Sequence, residues 1–404
     1  MKRVASLLLI LCLLGGLVAC GSPSRRARET EDPTKTGESG IEESPEESQE
    51  LSSTDTVNYL NGNSLKEGII NITSQEISSA VAKDLLTLCA NSGEDAKEKA
   101  LVDSGFSVVL KKHYDKAIDS TEHTCAFMFA KKNVMYHGEE RPAFLVVIRG
   151  TSGGEWYSNF DFASADDFDN PYTVNFKACA QDILDSVYED YIAAETEPLV
   201  FVTGYSRGAA AANVLGAMLD DLMGQDSVFV YTFATPATVK EAANPASYKN
   251  IFNFINPGDF VTELPLKAHG FGRFGQDILL DGDMSRIQGV KSLVYIMAQT
   301  APTVASYYQD RHSLTSSGLS EDGMTTKELM TIVCDMLTGK ASGAQGLAQI
   351  SQESDLYPLA SALLMMNANL MLISTEHMPT RYSSLISLWS IMKDIENGEA
   401  MAAE

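Results

Sequence analysis

The eleven residues "VFVTGYSRGAA", 200–210, constrain this chain more than any other stretch. An apolar run that reads as a buried strand is followed at once by Gly204-Tyr205-Ser206-Arg207-Gly208, and then by "AAAANVLGAMLDDLM", which reads as a helix. Gly-x-Ser-x-Gly in that setting is a nucleophile elbow. The turn is so tight that a Cβ at Gly204 or Gly208 would strike the neighbouring strand and helix, so glycine is expected at both. Such a turn lifts the Ser206 hydroxyl clear of the sheet edge. The helix behind it aims its N–H groups and positive dipole end at developing negative charge, and the Arg207 N–H is a candidate oxyanion donor.

A serine hydroxyl needs a base, and the base needs an orienting acid. In this class of fold the chain order is Ser, acid, His. "FNFINPGDFVTELP" offers the acid: a strand ends near Asn256, Pro257-Gly258 turns the chain, and Asp259 falls at the carboxyl edge of the sheet. Pro-Gly-Asp is equally the composition of an ordinary turn. Of the six histidines, His113, His123 and His137 precede the elbow, and His269 comes before the last visible strand. That leaves His312 in "YYQDRHSLTSSG" and His377 in "STEHMPTRYSSLISLW". His377, on a loop just ahead of the final helix, is the leading candidate for the base, with His312 as the alternative.

Five stretches taken together resemble the class 3 lipase family of α/β-hydrolases. They are "VVIRGTSGGEWYSNFD", "VTGYSRGAAAANVLG", "TFATPA", "NPGDFVTELP" and "GFGRFGQDILL", in that order within residues 143–281. The resemblance implies Ser206 as nucleophile, Asp259 as triad acid, and Thr151 with Arg207 as oxyanion donors. "EHMPTRYSSLI" is similar to a His-x-x-x-x-Tyr ending in some bacterial members. Two departures stand out: Tyr205, where histidine is common, and a long segment after residue 282. The activity implied is hydrolysis of carboxylic esters, with glycerolipid or other fatty-acyl esters the leading substrate class and no cofactor. A thioesterase or peptidase with the same triad, or a surface protein that keeps the fold only to bind, are the alternatives.

The rest of the chain reads consistently with an α/β-hydrolase fold. "TCAFMFAKK", "RPAFLVVIRG", "EPLVFVTGYS", "DSVFVYTFATPA", "NIFNFINPGD" and "GQDILLDG" read as strands, with helices such as "FKACAQDILDSVYEDYIAAE" between them. Strand alternating with helix predicts a mostly parallel sheet covered on both faces. Residues 64–118 are expected to be helical, including "EKALVDSGFSVVLKKHY". Residues 283–374 are expected to form a helical insertion or cap, whose Met365-Met366 and Leu370-Met371-Leu372 could line an acyl pocket, form a lid, or simply pack as core.

The first twenty residues carry Lys2 and Arg3, an apolar run and small residues, as a secretory signal does. Its end, Leu17-Val18-Ala19-Cys20, resembles a bacterial lipobox, which implies lipidation of Cys20 and anchoring to the outer face of the cell membrane. Residues 21–56, rich in Ser, Glu, Pro and Gly, read as a disordered tether ahead of a domain over 57–404. The formal net charge is −24. The tether holds ten acids against four bases, so most of the excess belongs to the domain. Such a field argues against nucleic acid as a partner and against docking on anionic headgroups. Cys89, Cys125, Cys179 and Cys334 are widely spaced, with no CxxC pair and no metal spacing. They are expected to be mostly buried apolar residues, although export would permit disulfides.

Overall fold

The computed structural model describes residues 62–90, 93–114, 124–150, 173–240, 244–300 and 375–403. The stretches read as a signal, with Cys20, and as a tether lie outside these residues, as do Thr151, His312, Cys334 and the part of the expected 283–374 insertion from 301 to 374. Within them the elements run β1 (Ile69–Ile70), α1 (Ser79–Ala90), α2 (Glu94–Asp103), β2 (Ser107–Lys112), β3 (Phe127–Tyr136), β4 (Glu139–Ile148), α3 (Val174–Val187), β5 (Leu199–Tyr205) and α4 (Arg207–Met223). After these come β6 (Val228–Phe233), β7 (Val239–Lys240), β8 (Ile251–Ile255), β9 (Phe271–Gly272), β10 (Gln276–Leu279), α5 (Met284–Thr300) and α6 (Pro379–Ala403).

The main sheet runs β1-β3-β4-β5-β6-β8-β10, with β2 also paired to β3. From β4 through β5, β6 and β8 to β10 every neighbour is parallel, whereas β3 is antiparallel to both β2 and β4. Parallel neighbours need a crossover, and α3 and α4 supply it before and after β5. A mostly parallel sheet, helix-covered and with antiparallel strands at one edge, is the α/β-hydrolase fold expected from the sequence.

The central strand shows why its sequence is almost wholly apolar. Every residue of β5 is buried. Leu199, Phe201 and Tyr205 face one core with α1 and α6, while Val200 and Val202 face the other with α3 and α4. Phe201 stacks on Phe229 of β6 at 4.7 Å between ring centroids. Burying each such side chain contributes roughly 1.5–3 kcal/mol, which favours this strand over any solvated alternative. The last helix closes the first of these cores: Trp389 meets Phe254 of β8 edge-on at 5.5 Å, and Lys83 of α1 donates to Ser390 Oγ at 3.0 Å.

One expectation needs correction. The stretch "EKALVDSGFSVVLKKHY" is not one helix: α2 ends at Asp103, and Gly105 takes φ +78°, which stops it. "SVVLKK" then runs as β2 against β3. Its burial alternates between exposed and half-buried, the pattern of an edge strand with one face on the core. Ser107-Val108-Val109-Leu110-Lys111-Lys112 carries no period-2 alternation of polarity, so nothing in it separates a strand from the helical spacing upstream. The cysteines behave as expected where described: Cys89, Cys125 and Cys179 are buried. Burial pushes the Cys89 thiol up to about 11, so it stays a thiol at neutral pH.

Asp220, near the C-terminus of α4, is 7% exposed. Its Oδ1 accepts from Asn250 Nδ2 at 2.8 Å, and burial raises its pKa to about 7. A folded-state pKa above the unfolded one means that the native state holds the proton more tightly. Stability from this group is therefore full below about pH 4 and is lost as pH rises through about 7. Asp220→Asn is expected to stabilise the protein by about 2–4 kcal/mol at pH 8, with the gain vanishing toward pH 4. Urea unfolding of both proteins across that range checks this, and a gain independent of pH would rule out titration of Asp220 as its source.

Candidate active site

β5 ends at Tyr205 and α4 begins at Arg207, so Ser206 alone makes the turn between strand and helix. Its backbone has φ 55° and ψ −121°, a conformation an L-residue rarely adopts. The strain is held from both sides. Ser206 N–H donates to Phe233 O of β6 at 3.0 Å, and Ser206 O accepts from Ala210 N–H at 3.0 Å. The two glycines serve different contacts. A Cβ on Gly204 would lie 2.2 Å from Gly208 O, inside the first turn of α4, whereas one on Gly208 would lie 2.5 Å from Ile148 O at the end of β4. Both are forbidden distances, so neither residue can be larger than glycine without moving backbone.

Asp259 lies just past the end of β8, beyond the Asn256-Pro257-Gly258 turn, and is fully buried. It acts both as a turn aspartate and as a partner of a histidine. Oδ1 accepts from Val261 N–H at 3.0 Å and so caps a short 3₁₀ turn, Phe260–Glu263. Oδ2 meets His377 Nδ1 at 2.8 Å. His377 Nε2 lies 2.9 Å from Ser206 Oγ. The imidazole is 3% exposed. With a carboxylate on Nδ1, the consistent assignment is a neutral ring donating Nδ1–H to Asp259 and accepting the Ser206 hydroxyl proton at Nε2. Ser206, His377 and Asp259 are thus brought into one hydrogen-bonded chain.

The other sequence candidates fall elsewhere. Arg207 keeps its side chain away from the Ser206 hydroxyl: the guanidinium is buried, donates to Thr124 O at 3.2 Å and approaches Cys179 Sγ at 3.4 Å. Only its backbone N–H, at the head of α4, can serve an oxyanion. Thr151, which follows Gly150, lies outside the described residues. Gly150 packs against the elbow, since a Cβ there would lie 3.1 Å from Tyr205 O. His113 pairs with Asp182 at 2.9 Å, far along another edge, and His137 sits in the β3–β4 turn.

Sequence reasoning missed the residues that hold this chain in place. Tyr382 donates to Asp259 Oδ2 at 2.8 Å and accepts Asn256 N–H at 3.2 Å. Burial and the neighbouring Asp259 charge push its phenol well above the usual tyrosine range, so it remains a donor. Asn256 Nδ2 donates to Glu376 O at 3.1 Å and to Glu376 Oε2 at 2.8 Å. The same carboxylate oxygen takes Arg381 Nε at 2.9 Å. Tyr205 donates to His377 O at 2.7 Å. The acid turn and the base-bearing segment are therefore sewn together by side chains more than a hundred residues apart. The six-residue "HMPTRY" pattern was the one local signal for Tyr382. Nothing local marks Asn256 or Glu376. Among the described residues, no three His, Cys, Asp or Glu side chains gather as a metal site would need.

Residues 145–269 match the model of the family described as lipase (class 3). Among curated proteins no relative matches the chain. Solved structures of fungal lipases are similar. A Rhizomucor miehei lipase–propeptide complex has 19% identity over 50% of this chain and 66% of its own, with a TM-score of 0.34. The Rhizomucor miehei triacylglyceride lipase shows 19% identity, 49% and 78% coverage and a TM-score of 0.39. The LIP2 lipase of Yarrowia lipolytica shows 18%, 53%, 84% and 0.37. The chain thus spans just under two thirds of the first of these structures.

Proposed function

We propose that this chain, which matches lipase (class 3) over residues 145–269, is a serine hydrolase that cleaves carboxylic esters, with fatty-acyl esters such as glycerolipids as its substrate class. The observation that carries the reading is the chain Ser206 Oγ, His377, Asp259, at 2.9 and 2.8 Å, with its serine on a strained elbow. In the proposed reaction His377 Nε2 takes the Ser206 proton as Oγ adds to the ester carbonyl carbon. The carbonyl oxygen becomes an oxyanion held by the backbone N–H groups of Arg207 and Thr151. The imidazolium, stabilised by Asp259, gives its proton to the leaving alcohol as the C–O bond breaks. Water then attacks the acyl-enzyme by the same route and releases the acid. No step requires a cofactor.

The family match supports an ester as the bond cleaved, and the geometry supports activation of Ser206. A fluorophosphonate probe tests the chemistry. Full-length protein is expected to be labelled at Ser206, and a panel of acyl esters of rising chain length is expected to be hydrolysed. A protein that takes no label and hydrolyses no ester would leave the fold as a binding scaffold. Labelling together with faster turnover of thioesters or peptides would move the assignment to another bond.

We also propose that the chain is a surface lipoprotein carried by Cys20, because "LVAC" closes an apolar signal and an acidic, Ser- and Pro-rich tether follows. Among the described residues no helix is long and apolar enough to cross a membrane. In a bacterial host the wild type is expected in the membrane fraction, and Cys20→Ser is expected to leave it or to accumulate unprocessed. Equal membrane association of the two would overturn this.

A further inference from the structure

Tyr205 occupies the variable position of the elbow, directly before the nucleophile. As the last residue of β5 it turns its side chain into the core under α6, where it is 5% exposed. Its ring meets Tyr382 edge-on at 5.6 Å and lies 5.7 Å from the His377 ring. Its hydroxyl reaches the backbone carbonyl of His377 at 2.7 Å. The base is thus tied to the nucleophile turn twice: once through Nε2 to Ser206 Oγ, and once through its own carbonyl to the residue adjacent to that serine.

The second tie addresses a problem posed by the chain itself. His377 comes 118 residues after Asp259 and 171 after Ser206. No strand or helix that carries the other two members sets its register, so among the described residues long-range contacts bring the imidazole to them. Asn256 holds the preceding residue, Glu376, from the side of the acid turn. Tyr205 holds His377 from the side of the nucleophile. Proton transfer depends steeply on this placement, and a displacement of about 1 Å costs on the order of 100-fold in rate. Burial, with the Asp259 charge second, pushes the Tyr205 phenol well above its ordinary range. The hydroxyl therefore stays protonated, and stays a donor, wherever the enzyme would work.

We propose that Tyr205 is a positioning residue for the base: its hydroxyl sets the distance between His377 Nε2 and Ser206 Oγ without itself touching the reacting atoms. This rests on the reading of Ser206 as nucleophile. The test is Tyr205→Phe, which removes one oxygen and keeps the ring packing. Full-length wild type, Tyr205→Phe and Ser206→Ala are compared on a short-chain p-nitrophenyl ester, with all rates taken per mole of protein and those of wild type and Tyr205→Phe also per fluorophosphonate-titrated site. For Tyr205→Phe, kcat is expected to fall about 10–100-fold with KM within about twofold. Fluorophosphonate labelling is expected to slow by the same factor, and the melting temperature to drop by no more than about 5 °C. A kcat within about threefold of the wild type overturns the proposal. So does a melting temperature more than about 10 °C lower, because the hydroxyl would then serve stability and not the base. Failure of the serine assignment looks different: the wild type itself would take no label and would turn over no faster than Ser206→Ala.

Discussion

Ser206→Ala is expected to abolish ester hydrolysis, by about 10⁴–10⁶-fold in kcat, while leaving the fold intact. The oxygen lost is the atom that would form the acyl-enzyme, and neither Gly204 nor Gly208 can supply another. The elbow itself does not depend on the hydroxyl. Ser206 is pinned through its backbone, by Phe233 O and Ala210 N–H, and the turn leaves no room for a Cβ at Gly204 or Gly208, where one would meet backbone oxygens at 2.2 and 2.5 Å. Alanine at φ 55° adds no strain that serine lacks, so the melting temperature is expected to stay within a few degrees of the wild type. Hydrolysis measured per mole of protein, together with circular dichroism, checks both halves. Activity above a trace in a well-folded variant would remove Ser206 from the mechanism.

His377→Ala is expected to cost activity on the same scale, and the double variant Ser206→Ala/His377→Ala no more than either alone. With Nε2 at 2.9 Å from Oγ, the proposed base would act only through that serine, so the two losses are expected to describe one step and not to multiply. Asp259→Asn belongs to the same test. An amide that offers its NH₂ to Nδ1 favours the wrong imidazole tautomer and is expected to reduce kcat by about 10⁴-fold with little change in KM. Tyr382 and Val261 N–H also bind this carboxylate, so part of any stability change will come from them. Multiplicative losses in the double variant would mean that His377 and Ser206 act in separate steps.

The sequence by itself determined the elbow, the mostly parallel character of the sheet around it and which serine stands at the turn. Those features are local. Two glycines, an apolar run and an alanine-rich helix are contiguous, and sterics within eleven residues leave one arrangement. The acid was less legible, because Pro-Gly-Asp makes a turn whether or not a histidine faces it. Only its place in a series of resemblances singled out Asp259. The edge strand β2 was not legible at all, since one face of "SVVLKK" continues the apolar spacing of the helix before it. Between His312 and His377 no periodicity could decide. The tertiary structure brings His377 to Ser206 and Asp259, and it does so through Tyr205, Asn256, Glu376, Arg381 and Tyr382. Arg381 apart, these polar side chains each form a bond to a residue 120 to 172 positions away. A hydrogen bond across that separation leaves no trace in composition or spacing. It exists only once burial of the sheet core has brought α6 down beside β8, when each donor must find an acceptor out of reach of water.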